Sequence, residues 1–283
     1  MPATIADIPP LLGGAVSPGS GAVAVASRAT TGADPVSATL RPAGLLDLTI
    51  PWSALACQSE SPAHLGRLGP VTACQARLLA LTAVPDPHAQ WRVILTDAGG
   101  RALAVERVRR GKKSCPPQPG RAPGVLGRVT VTVPATILEQ PWPPDSSREG
   151  LILTAILRAA TRAAATAAAA RAADEQAPGG CAHTAATPAY RPPRRLREYI
   201  EARDQTCRHP RCRQPAWRAD LDHTRPWHKG GPTCSCNIGG FCRVHHQVKQ
   251  GPGWAVTQPR PGHFQITTPA GRSYDVHPDT YPA

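Results

Sequence analysis

Cys207-x4-Cys212 and Cys242-x2-His245 stand thirty residues apart, and this spacing constrains the chain more than any other feature. Two close pairs of thiolate or imidazole donors, separated by one supersecondary unit, make a tetrahedral zinc site. The residues between them must therefore fold back on themselves. The first pair flanks a turn over Arg208-His209-Pro210-Arg211, and the second is spaced by one helical turn, so its side chains point the same way. Such a site supplies folding energy that a segment this short cannot draw from a core. Cys234 and Cys236 form a further C-x-C pair in a Gly/Pro-rich stretch. Four ligands already fill a zinc shell, so this pair is expected to stay outside it.

Elsewhere, large core-builders are scarce: aromatic residues make up 4% of the 283, against 33 Pro and 25 Gly. That balance predicts folded islands joined by flexible chain. Residues 1–42 are rich in Ala, Gly, Ser and Pro without stable periodicity and are expected to be disordered. The formal charge is +13, and from residue 191 onward 15 Lys/Arg face 7 Asp/Glu, a net +8 in 93 residues. A basic balance favours a polyanionic partner through counterion release, although a GC-rich genome also enriches Arg. No secretory signal is read at the N-terminus. The run from Leu151 to Ala173 is long enough to span a bilayer, but Arg158, Arg162 and Arg171 interrupt it. A cytoplasmic, reducing setting without a membrane is the expectation, in which nine cysteines point to metal ligation.

Along the chain, residues 43–140 read as a small, poorly defined mixed α/β region of unknown function. Leu46–Pro51, Trp91–Thr96 and Val129–Val133 are predicted strands, with a turn at Asp97-Ala98-Gly99-Gly100. Val71–Leu81 has helical spacing, whereas 103–124 is basic, Pro-rich and expected as a loop. Ser146 with Glu149 fits a capping box opening an Ala-rich helix over 146–176. With few large apolar residues, that helix reads as a spacer arm, and 177–192 reads as a linker. A short helix is predicted from Arg194 to about Ala202, with Leu196, Tyr199 and Ile200 on one face. Residues 253–283 form a closing hairpin and tail around a Pro-Gly turn.

Between the two ligand pairs lies Leu221-Asp222-His223-Thr224-Arg225-Pro226, followed by Gly230-Gly231, Asn237, and His246 beside His245. Asp-His, Asn and His in this order resemble the signature of the HNH, or ββα-metal, endonucleases. More narrowly, the 85 residues from Tyr190 to Tyr274 resemble the C-terminal HNH-signature part of repeat-associated proteins of high-GC Gram-positive bacteria. The likeness continues more loosely upstream through Leu48-Thr49-Ile50-Pro51 and Gly69-Pro70-Val71, with a shortened N-terminal region. It implies an α+β chain with a zinc-braced ββα-metal module over 193–252, a mixed N-terminal region, the Ala-rich helix and disordered linkers. One departure stands out: Ile238-Gly239-Gly240-Phe241 lies where the family has better helix formers, which predicts a softened helix.

The resemblance also implies roles. His223 would act as general base, since a neutral imidazole can take a proton from water. Asn237 would pin the loop that bears it. Asp222 and His246 would hold a catalytic divalent cation (Mg²⁺, Mn²⁺ or another transition metal), while Cys207, Cys212, Cys242 and His245 hold the structural zinc. Adjacent strand residues point to opposite faces, so Asp222 and His223 need a strand end or bulge to serve one site. Arg211, Arg213, Arg225, Lys229, Arg243 and Lys249 are candidate phosphate contacts, with Arg208 and Arg218 beside them. Trp217 and Trp227 are expected to pack on the strands, and Asp220 either bonds a ligand histidine or lies on the surface. The function implied is metal-dependent hydrolysis of phosphodiester bonds in nucleic acid, with double-stranded DNA as the expected partner. The alternative is a catalytically silent, zinc-dependent nucleic-acid-binding module.

Overall fold

A computed structural model describes residues 46–66, 68–86, 89–109, 126–141, 148–177 and 181–282. The disorder expected for 1–42, most of the 103–124 loop and the Ser146 cap lie outside them. Six strands form the first sheet: β1 (Leu46–Pro51), β2 (Ala63–Leu65), β3 (Gly69–Val71), β4 (Gln90–Thr96), β5 (Ala102–Arg107) and β6 (Leu126–Pro134). Their order is β3-β2-β1-β6-β4-β5, with β6 parallel to both of its neighbours. Three helices accompany the sheet: α1 (Trp52–Leu55), α2 (Ala73–Ala83) and α3 (Arg148–Gln176). Thr72 opens α2 with a capping box: its hydroxyl accepts from the Gln75 amide while the Gln75 side chain accepts from the Thr72 amide.

The core on this face is built mostly from aliphatic and small residues, with two tryptophans. Leu48, Ile50, Val93, Leu95, Val129, Val131 and Val133 are buried beside Trp52 and Trp91. The Ala-rich helix completes it, which corrects the spacer-arm expectation. Ile152, Ile156, Ala159, Ala160 and Ala163 recur at helical spacing and are buried against the sheet. Alanine there allows close approach of helix and strand, and a spacer has no need of it. The second half of α3 is largely exposed, as its composition predicts. Gly150–Gln176 is long and apolar enough to cross a membrane, although its inward face is taken up by this packing. β5 occupies the start of what reads as a loop, pairing with β4 across the turn at 97–100.

Residues beyond α3 fold onto the same body, against the expectation of separate islands. α4 (Arg194–Asp204) sets Ala202 and the later Tyr281 against Ile94 and Ala102. Ile94 points away from Val93 and Leu95, so this is the opposite face of the sheet. Glu198 pairs with Arg107, Glu106 with Arg195 at 3.0 Å, and the Tyr281 hydroxyl donates to the Ala202 carbonyl. Next come β7 (Asp220–His223) and β8 (Ile238–Phe241), an antiparallel ribbon, then α5 (Arg243–Val248). Three further strands follow, β9 (Ala255–Arg260), β10 (His263–Thr267) and β11 (Ser273–Val276); the last extends the predicted hairpin to a small sheet.

Ile238–Phe241 is a strand rather than the softened start of a helix, and the reason is packing. A Cβ on Gly239 would lie 2.3 Å from Cζ of Phe264, so only glycine admits that ring against the ribbon. The helix starts immediately after Cys242, which occupies its N-cap position.

A buried ion pair ties α4 to the ribbon. Arg203 and Asp204 are 2% and 0% exposed, and the guanidinium donates to Asp204 at 2.7 Å, to the Ser235 carbonyl at 2.7 Å and to the Ile238 carbonyl at 2.8 Å. The other Asp204 oxygen accepts from the Gly240 amide at 2.8 Å. Removing the cation strands a buried carboxylate. Arg203→Ala is therefore expected to cost about 3–5 kcal/mol. Denaturant unfolding checks this; a loss below about 1 kcal/mol, the range of an exposed pair, would contradict it.

Candidate functional site

The predicted zinc ligands converge. Cys207 leaves α4 through a bridge between Thr206 and Pro215, and Arg211, in the left-handed region at φ 63°, turns the chain back to Cys212. Cys242 returns from β8, and its amide donates to the Cys207 sulfur at 3.2 Å. His245 Nδ1 lies 3.6 Å from the Cys207 sulfur and 3.2 Å from the Cys242 sulfur, and all four donor atoms fall within 4.8 Å of one another. A zinc ion with about 2.3 Å bonds to sulfur and about 2.0 Å to nitrogen sets tetrahedral edges of about 3.5–3.8 Å. Burial pushes the Cys207 thiol up to about 12 and the His245 imidazole down, the neighbouring His209 adding to the latter. A bound cation would favour the thiolate over the buried thiol, so this group could hold a metal ion such as zinc. The His209 ring stacks on His245 with centroids 3.7 Å apart.

A second group of the same kind escaped the sequence reading. Cys234 and Cys236 are not idle: they meet Cys181 and His183, from the stretch read as a linker, with all four donor atoms within 4.8 Å. Hydrogen bonding from Cys236, with His183 and Cys181 contributing, holds the Cys234 thiol down to about 4 against its own burial. This group too could hold a metal ion such as zinc. The only signal available in sequence was the matching C-x-H and C-x-C spacing, fifty residues apart and without local support.

Asp222 and His246 also meet, across the ribbon and α5. His246 Nε2 lies 3.2 Å from Asp222 Oδ2, and its Nδ1 lies 2.9 Å from Asp220 Oδ2, so Asp220 bonds a histidine as one of its two readings had it. That hydrogen bond is the main cause of an Asp220 carboxyl held below its usual range. Lys249 reaches the same Asp222 oxygen at 2.6 Å and donates to the His223 carbonyl at 2.7 Å.

His223 ends β7 and turns the other way, as strand alternation demands. Its Nε2 lies 2.8 Å from the Thr233 hydroxyl, and its ring stacks on Tyr190 at 5.4 Å. Burial pushes its pKa below 6.5, opposed by Asp222 and assisted by Lys249. Asn237 pins the intervening loop: its carbonyl oxygen accepts from the Arg225 amide at 2.8 Å, and its amide donates to the Arg225 and Pro232 carbonyls. Gly231 is required there, because a Cβ would lie 1.9 Å from the Arg225 carbonyl oxygen.

The basic candidates divide. Arg211, Arg213, Arg225 and Lys229 are exposed, as are Arg218 and Arg243, the last 3.4 Å from Asp220. Lys249 faces inward instead, because Asp222 and the His223 carbonyl take its ammonium. Arg208 is likewise structural: 2% exposed, it donates to the His277 carbonyl and to Asp279. Trp217 and Trp227 are about half exposed, Trp217 beside Arg218 and Trp227 edge-on to Tyr190.

No family model matches the chain, and no solved structure matches it significantly. The uncharacterized protein Rv3776 of Mycobacterium tuberculosis (strain H37Rv) is 43% identical over 94 residues, 33% of this chain and 18% of that protein. The uncharacterized protein Rv2100 of the same strain is 43% identical over 95 residues, 33% of this chain and 17% of that protein. The chain thus spans under a fifth of the length of the curated relatives it matches.

Proposed function

We propose that residues 193–252 form a metal-dependent endonuclease module of the HNH, or ββα-metal, kind, hydrolysing phosphodiester bonds in nucleic acid, with double-stranded DNA as substrate. The observation that carries this reading is the juxtaposition of Asp222 Oδ2 and His246 Nε2 at 3.2 Å, one residue from a buried histidine. With its Nδ1–H donating to Asp220, a neutral His246 would carry its lone pair on Nε2, beside the Asp222 oxygen and the Gln250 amide. Two acceptors so placed want a cation, and one carboxylate with one imidazole suits Mg²⁺, Mn²⁺ or another transition metal. Bound there, a divalent cation would neutralise charge on the scissile phosphate and the leaving oxygen. Exposed Arg211, Arg213, Arg225 and Lys229 would meet backbone phosphates. The reduced cysteine clusters suit a cytoplasmic setting.

His223 is the proposed base: it is the last residue of β7, so the scissile phosphate would lie across the strand end between it and Asp222, and its tautomer can be inferred. The Thr233 hydroxyl donates to the Tyr190 carbonyl at 3.4 Å, so its oxygen accepts Nε2–H, and Nδ1 keeps the lone pair that takes a proton from water. The neutral form is active and exists above the pKa. Because burial lowers that pKa, the acid limb of kcat/KM is expected below pH 6.5, the ordinary histidine value. A pH–rate profile checks this, and a limb at or above that pH would contradict the assignment.

The direct test incubates the purified full chain with supercoiled plasmid and Mg²⁺ or Mn²⁺. Nicking that disappears in Asp222→Ala and His246→Ala is expected. One observation favours a silent, zinc-dependent binding module instead: the Lys249 ammonium already neutralises Asp222 at 2.6 Å. Salt-sensitive DNA binding without cleavage under any divalent ion would select that reading.

A further inference from the structure

We propose that Cys181, His183, Cys234 and Cys236 form a second structural zinc site, a clasp that straps residues 181–191 across the loop holding His223. The site itself stands apart from the nuclease reading; its bearing on His223 as a base rests on that reading.

The distances carry the ligand assignment. Cys181 Sγ lies 3.7 Å from Cys234 Sγ, and His183 Nδ1 lies 3.6 Å from Cys181 Sγ and 3.5 Å from Cys236 Sγ. A tetrahedral zinc with these donors has sulfur–sulfur edges of about 3.8 Å and sulfur–nitrogen edges of about 3.5 Å. A disulfide would need about 2.05 Å, so the cluster has the spacing of ligands rather than of a bond. Its composition, three cysteines and one histidine, repeats that of the Cys207 site.

The clasp's position carries its role. Cys234 follows Thr233, the partner of His223, and Cys236 precedes Asn237, which pins the loop from Arg225 to Pro232. On the other side, Thr187 bridges to Thr233, its amide donating to the Thr233 carbonyl at 3.1 Å. Pro188 accepts from the Trp227 indole, and Tyr190 covers the His223 ring. Few apolar contacts hold this strap: residues 183–186 and 188–191 are exposed. An ion joining its start to both ends of the Cys234–Cys236 loop would fix Tyr190 and Thr233 together against the imidazole.

The test is zinc content of the full chain by mass spectrometry, beside hydrogen exchange at the Thr187 amide. Wild type is expected to carry two zinc ions. Cys181→Ser/His183→Ala, which alters only the strap, should carry one and exchange Thr187 at least about tenfold faster. Cys234→Ser/Cys236→Ser should also carry one. A single zinc in wild type, two retained in the strap variant, or a Cys181–Cys234 disulfide in reduced-cell extracts would overturn the clasp. Plasmid cleavage is read separately: two zinc ions without nicking would fail the nuclease reading alone, and nicking with one zinc the clasp alone.

Discussion

His223→Ala is expected to reduce plasmid nicking by about 10²–10⁴-fold, the usual contribution of a positioned general base, with zinc content unchanged. His223 is not among the eight cysteine and histidine donors of the two candidate metal groups, so metal retention separates lost chemistry from lost fold. Thr233→Val supplies a graded companion. It keeps the shape but removes the acceptor of Nε2–H, freeing the ring to take the other tautomer, and a loss of about 10–100-fold is expected. As a positioning residue, Thr233 should also change the acid limb of the pH profile, which a merely structural role would leave in place. Equal nicking by wild type and His223→Ala would remove the mechanism.

Cys207→Ser is expected to unfold the C-terminal part of the chain while leaving the six-stranded sheet standing. Their main cores are distinct, joined through Ala202 and Tyr281 against Ile94 and Ala102. The sheet buries its own cluster from Leu48 to Ala163, whereas the zinc group packs only with Phe241, Phe264 and Ile266 and a few half-buried neighbours. Structural zinc contributes about 10–16 kcal/mol of apparent binding free energy at neutral pH, comparable to a whole domain's net stability of about 5–15 kcal/mol. So small a core cannot offset that loss. Limited proteolysis should cut the variant within residues 205–267 and spare the sheet, and chelation of wild type should reproduce the pattern. A variant as protease-resistant as wild type would show the four side chains to be ordinary packing.

Local periodicity was a sound guide wherever one element could settle its own state. β1, β4 and β6 lie where alternation places them, α2 and α3 where helical spacing and composition do, and Leu196 and Ile200 face inward from α4. It failed where a distant neighbour decides. Ile238-Gly239-Gly240-Phe241 looks like a poor helix until Phe264 is laid against it, and then it is a strand whose glycine makes room for a ring. Lys249 looks like a phosphate contact until Asp222 turns it inward.

What the order of residues determined by itself is the local pairing of Cys207 with Cys212 and of Cys242 with His245, because each pair is set within a turn; that the two pairs converge, and that His246 meets Asp222, took the fold. Tertiary structure alone decided that Cys181 and His183 reach Cys234 and Cys236 and that the Ala-rich helix is core. Those outcomes depend on contacts between segments tens of residues distant, whose side chains show no mutual periodicity until packing brings them together.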